Sequence, residues 1–141
     1  MQHIAHTDYY TLDIDNQKKR IYHHVFGTWG EVPEVSQFLQ DWETVLAQIS
    51  EGYTMLTDAR RFRLLSASWA AMTIRLRKKL FQAGIKKIAE VLPERAVTKM
   101  QFSTISTHVN DVTTKIFASE AEAEAWLDNR ENDDVSTLKQ Q

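Results

Sequence analysis

The apolar residues of this 141-residue chain change their spacing repeatedly between residues 9 and 127, and that alternation restricts the available folds more than any other feature. Tyr10, Leu12 and Ile14 recur every second position, the period of a strand with one buried face. A polar turn at Asp15 to Lys19 follows, and Arg20 to Gly27 resumes strand character through Ile21, Tyr22, Val25 and Phe26, which predicts an antiparallel hairpin. After Pro33, a favoured residue for a first helical position, Phe38, Leu39, Trp42, Val45, Leu46 and Ile49 take helical spacing until Gly52. Tyr53 to Thr57 reads as a short strand and Ser66 to Ala83 as a helix stopped by Gly84. Ile88 to Leu92 reads as a strand halted by Pro93, and Arg95 to Val109 as a helix. Thr113 to Phe117 is a last strand, and Ser119 with Glu122 has capping-box spacing for a final helix through Trp126 and Leu127.

The expected order is β-β-α-β-α-β-α-β-α. It implies an α/β fold with an open mixed sheet of about five strands, an N-terminal antiparallel hairpin followed by parallel strands, and about four helices on right-handed crossovers. Residues 1–8 read as an N-terminal extension, 9–128 as a single domain and 129–141 as a polar tail.

Charge is distributed unevenly although the net value is only −2. Nine basic residues and no acidic one lie between Ala59 and Ala89, directly after Asp58. Against them stands an acidic end containing Glu120, Glu122, Glu124, Asp128, Glu131, Asp133 and Asp134. Such segregation steers charged partners over the roughly 8 Å that salt permits. The basic block makes two candidate surfaces. Arg60, Arg61 and Arg63, expected in a loop closing the third strand, offer guanidinium groups suited to carboxylate or phosphate. With Ser66, Ser68 and Trp69 at the helix start and Trp29 in the preceding crossover loop, they would border an anion site at a helix N-terminus. Arg75, Lys78 and Lys79 are three or four residues apart and form one ridge on the following helix.

Other chemistry finds little support. The chain has no cysteine, so disulfides, thiolate metal sites and thiol nucleophiles are excluded. With four glycines it carries neither a Walker nor a dinucleotide loop. Asp58 stands at a strand end, where open α/β sheets hold ligands, but Arg60 and Arg61 beside it favour an ion pair over acid-base work. His23 and His24 are consecutive on a strand and face opposite sides, while His3 and His6 fall in the extension. No His-x-x-x-His or Glu-x-x-His spacing points to a metal. The expectation is a protein without catalytic residues, cofactor or metal. Nucleic acid is disfavoured by the negative net charge and the lack of a stacking platform. The first six residues lack the basic start and apolar run of a secretory signal, and no stretch is long enough to span a membrane, so a cytoplasmic location is expected. The hairpin at a sheet edge leaves room for homodimer formation.

Across about residues 9 to 128 the chain resembles the STAS-like superfamily, the fold of bacterial anti-sigma-factor antagonists and of the cytoplasmic domains of sulphate transporters. The residues that carry the resemblance are Gly27-Thr28-Trp29-Gly30-Glu31, Leu56-Thr57-Asp58, Gly84-Ile85-Lys86-Lys87, and Phe117-Ala118-Ser119 through Trp126-Leu127. The resemblance implies a non-catalytic regulatory or protein-interaction module that docks its partner through the basic loop and helix after the third strand. The alternative is a binding protein for an anionic or amphipathic small molecule or lipid at the same loop. Family antagonists are switched by phosphorylation in an Asp-Ser-x-Gly motif at that helix start. Here the stretch reads Ser66-Ala67-Ser68-Trp69, so aspartate, acceptor serine and glycine are all replaced. Ser68 lies nearest the acceptor position, and helix capping is the more ordinary use of a serine there.

Overall fold

The computed structural model describes residues 1–29, 35–65, 67–92 and 112–129, and the side chains of 28, 29, 35, 36, 63–65 and 67–70 are not described. Six strands form one sheet in sequential order: β1 (Gln2–His6), β2 (Tyr10–Asp15), β3 (Arg20–Trp29), β4 (Thr54–Leu65), β5 (Lys87–Val91) and β6 (Thr113–Phe117). Pairing is antiparallel through β3 and parallel from β3 to β6. Three helices are described, α1 (Val35–Gln48), α2 (Ala67–Gln82) and α3 (Glu120–Asp128). The helix expected at 95–109 and the tail beyond Asn129 lie outside the described residues.

The hairpin between β2 and β3 forms where the polar turn was expected. Asp15 Oδ1 accepts from the backbone N–H of Gln17 and Lys18, and Lys19 completes the reversal at φ 55°. With the strands in sequential order, right-handed crossovers must pass over the same face of the sheet. Accordingly Phe38, Trp42 and Val45 of α1 and Leu76 and Leu80 of α2 pack together against Leu12, Ile14, Ile21, Met55 and Ile88. The opposite face carries a smaller core of Leu56, Ala89 and Val91 under Ala123 and Leu127 of α3. Among the described residues, α3 is the helix that packs on that second face, against β4 and β5 with Tyr22 of β3 beside it.

Two expectations are corrected. Residues 2–6, read as part of an extension, form an edge strand against β2, which makes six strands where about five were expected. Its burial is slight and its residues mostly polar, so backbone pairing holds it and no apolar alternation announces it. The second correction concerns Arg60, Arg61 and Arg63, expected in a loop. The strand that was expected to end near Asp58 runs on to Leu65, paired with a β3 that itself continues to Trp29. Ala59 and Phe62 supply the buried side of that extension, while the exposed side tolerates charge.

Candidate functional site

A cleft of about 580 Å³ lies on the second face beside the start of α3, lined by His6, Thr11, Asp13, His24, Val25, Phe26, Asp58, Arg60, Arg61 and Glu120. Register explains most of this list. Thr11 stands opposite His24, and His24 opposite Asp58, so the three form a row across β2, β3 and β4. A bulge then shifts the β3 to β4 register between His24 and Phe26, so that Arg61, and not Arg60, stands opposite Phe26. The extra residue lets two consecutive arginines line the same cleft, which a regular strand forbids. Glu120 arrives from the first turn of α3, whose start is set by Ser119 accepting from the Glu122 N–H.

The charges inside the cleft are largely paired. Arg60 grips Asp58 with Nε 3.0 Å from Oδ1 and Nη2 2.7 Å from Oδ2, and its backbone N–H adds a third bond to Oδ1 at 3.0 Å. Burial pushes the Asp58 carboxyl up, yet the hydrogen bonds from Arg60 and then Glu120 outweigh it and hold Asp58 below the usual carboxylate range. Glu120 moves the other way, raised by its hydrogen bond with Asp58 and by burial against the pull of His24. His24 Nε2 lies 2.6 Å from Glu120 Oε1 and 4.0 Å from Asp58 Oδ2. On the β1 side, His3 and His6 both contact Asp13. Arg61 is exposed at the cleft and has no ion-pair partner among the described residues. The cleft therefore combines two carboxylates shifted in opposite directions, imidazoles beside carboxylates, a guanidinium at Arg61 without an ion-pair partner among the described residues, and an apolar ring from Phe26.

The residues singled out from the sequence do not form one surface. Asp58, Arg60 and Arg61 meet in the cleft, with Asp58 in the expected ion pair, made by Arg60 alone. Phe62 is in the interior. Trp29 ends β3, with its backbone opposite Leu65, and Arg63 lies within β4; neither side chain is described. Ser68 and Trp69 are in the first turn of α2 and their side chains are likewise not described, while Ser66 lies outside the described residues. Arg75, Lys78 and Lys79 are exposed on α2, which packs on the other face of the sheet, so the ridge is separated by the sheet from Arg60 and Arg61. Lys79 is engaged by Glu43 of α1 at 3.1 Å.

Sequence reasoning missed His6, Thr11, Asp13 and Glu120 as cleft residues. The available signal was the polar set Thr11 and Asp13 interleaved with Tyr10, Leu12 and Ile14, with Asp13 buried. Two donor groups also went unseen, His3 with His6 and Asp13, and His24 with Asp58 and Glu120, each set within 4.8 Å. The second draws on residues far apart in the chain, and the first is assembled only by the register of β1 against β2.

Among the described residues, helices follow the parallel strands β3, β4 and β6. The sequence model of the SpoIIAA-like family matches residues 15–128. The chain belongs to the SpoIIAA-like family. Among solved structures, an uncharacterised protein of the DUF3478 family with a SpoIIAA-like fold, from Shewanella loihica PV-4, is similar at a TM-score of 0.66 and 17% identity. The match covers 87% of this chain and 97% of that one. No curated protein matches the sequence. SpoIIAA-like membership bears out the STAS-like resemblance. No described helix is long and apolar enough to cross a membrane.

Proposed function

We propose that this SpoIIAA-like chain is a regulatory module that acts by binding, and that its cleft takes an anionic amphipathic small molecule. The observation that carries this reading is Arg61, the one cleft cation with no ion-pair partner among the described residues, next to the apolar ring of Phe26. Arg60 is spent on Asp58, and His24 faces Glu120, so the remaining positive charge is at Arg61. The cleft volume of about 580 Å³ suits a small ligand. A guanidinium can bind a carboxylate or phosphate head through two parallel hydrogen bonds, while Phe26 covers an apolar tail.

Titration with decanoate, and with inorganic phosphate as a head-only control, tests the reading. Decanoate should bind the wild type more tightly than phosphate, and Arg61→Ala should weaken it by about tenfold, the value of one charge-assisted hydrogen-bonded contact. Wild-type affinity in Arg61→Ala, or no decanoate binding at all, would overturn it.

A second reading places a protein partner or anionic lipid headgroups on α2. Arg75 and Lys78 are exposed and have no ion-pair partner among the described residues, and Phe81, three residues beyond Lys78, is 45% exposed. A cationic ridge beside an exposed ring suits an acidic, partly apolar surface. Charge reversal at Arg75, Lys78 and Lys79 should abolish binding to anionic vesicles or an acidic partner at low salt, and leave decanoate binding unchanged.

A further inference from the structure

β1 contains a break, and the break decides where its two histidines go. In a regular strand, residues three apart face opposite sides of the sheet, so the sheet itself would separate His3 from His6. Here the register slips between His3 and Ala5, which sets His3 opposite Asp13 and His6 opposite Thr11. Asp13 and Thr11 share one face, so both imidazoles reach the same carboxylate. His3 Nδ1 lies 2.5 Å and His6 Nε2 2.8 Å from the same oxygen, Asp13 Oδ1, with the rings nearly perpendicular at a centroid distance of 4.8 Å. The Asp13 side chain is 9% exposed, whereas the two imidazoles are 66% and 53% exposed.

We infer that His3, His6 and Asp13 bind a divalent transition-metal ion of the Zn²⁺ kind, with a fourth position open toward the cleft. Two imidazole nitrogens and one carboxylate are the donor set of three-ligand zinc sites that keep a place for a further ligand, and imidazole suits Zn²⁺, Co²⁺ and Ni²⁺ alike. Metal bonds of 2.0 to 2.2 Å in tetrahedral array put neighbouring donors about 3.3 Å apart. From 2.5 and 2.8 Å the imidazole nitrogens need to draw back from Asp13 Oδ1 by about 0.8 and 0.5 Å, which rotation of two exposed rings supplies. His6 and Asp13 both line the cleft, so the free position looks into it. The other donor group is the poorer site, because Arg60 already occupies both oxygens of Asp58 and places a positive charge where the ion would sit.

The test uses the full, tag-free chain stripped of metal, with Zn²⁺ binding followed by calorimetry and Co²⁺ by its visible absorption. One equivalent should bind the wild type. The double variant His3→Gln, His6→Gln should lose at least about tenfold in affinity and the Co²⁺ bands, while His24→Gln keeps both. The exposed rings make these substitutions gentle on folding, and His6→Gln alone puts the same question with a smaller change. No stoichiometric binding to the wild type, wild-type affinity in the double variant, or equal loss in His24→Gln would each overturn the assignment. Arg61→Ala should leave Co²⁺ binding unchanged, which separates this site from the anion reading.

Discussion

His23 occupies the helix-covered face of β3 with its ring edge-on to Trp42 at 5.2 Å and beside Phe38, and its Nε2 has no hydrogen-bond partner among the described residues. Burial, reinforced by the neighbouring His24, lowers its pKa from 6.5 to about 3. The folded state therefore keeps His23 neutral while the unfolded chain takes up a proton below pH 6.5, so stability falls as pH drops from 6.5 toward 3. This group alone contributes a slope of up to about 1.4 kcal/mol per pH unit in that window. Urea unfolding of the wild type and His23→Leu at pH 7 and pH 5 should show the wild type losing more stability than the variant. Equal losses would mean that the ring titrates freely in the fold. Its neighbour His24, one position on, lines the polar cleft. Consecutive strand residues thus serve opposite purposes, a division that the strand period made legible before any coordinates.

Most elements were readable because apolar period and turn residues agree locally. The end of α2 shows how strict such agreement can be. Gly84 has φ 97°, and a Cβ there would come within 2.6 Å of the Glu51 backbone. Its carbonyl also accepts from the Gly52 N–H at 3.0 Å, which locks the exit of α2 to the turn after α1. Gly84→Ala should lower stability by about 2 kcal/mol or more through both strain and collision, seen as an earlier thermal midpoint with retained sheet signal. The start of α3 is a milder case. Ser119→Ala removes the acceptor for the Glu122 N–H and should cost about 1 kcal/mol. Strand lengths were less legible. Three arginines in four residues resemble a solvated loop, yet pairing with the extension of β3 holds them in β4. Backbone hydrogen bonds to a distant strand leave no mark on local composition.

Charge segregation along the chain is partly resolved within the molecule. Arg20, buried at the start of β3, donates to Glu124 and to Asp128 of α3, the latter at 2.8 Å, and to Thr54 Oγ1 at 3.1 Å. Lys87 of β5 adds a bond to the Trp126 carbonyl and sits 4.6 Å from the Trp126 ring centroid. The acidic helix is thereby tied to strands far away in sequence. Arg20→Ala should cost about 2 kcal/mol, because it removes a buried guanidinium whose charge-assisted hydrogen bonds tie α3 to the sheet. Amide exchange should speed up in α3 more than in β2; uniform exchange would instead mean that the helix is held by its apolar side alone. Residue order was enough to establish the class of fold, the hairpin, the turns and the helix ends, since each follows from contacts within a few residues of one another. Which strands would lengthen, that the α2 ridge would part from Arg60 and Arg61 to the opposite face, and that His6, Asp13, His24, Asp58 and Glu120 would line one cleft were settled only on folding. Those relations depend on register between strands and on which face each helix covers, and register is a property of pairs that no single segment contains.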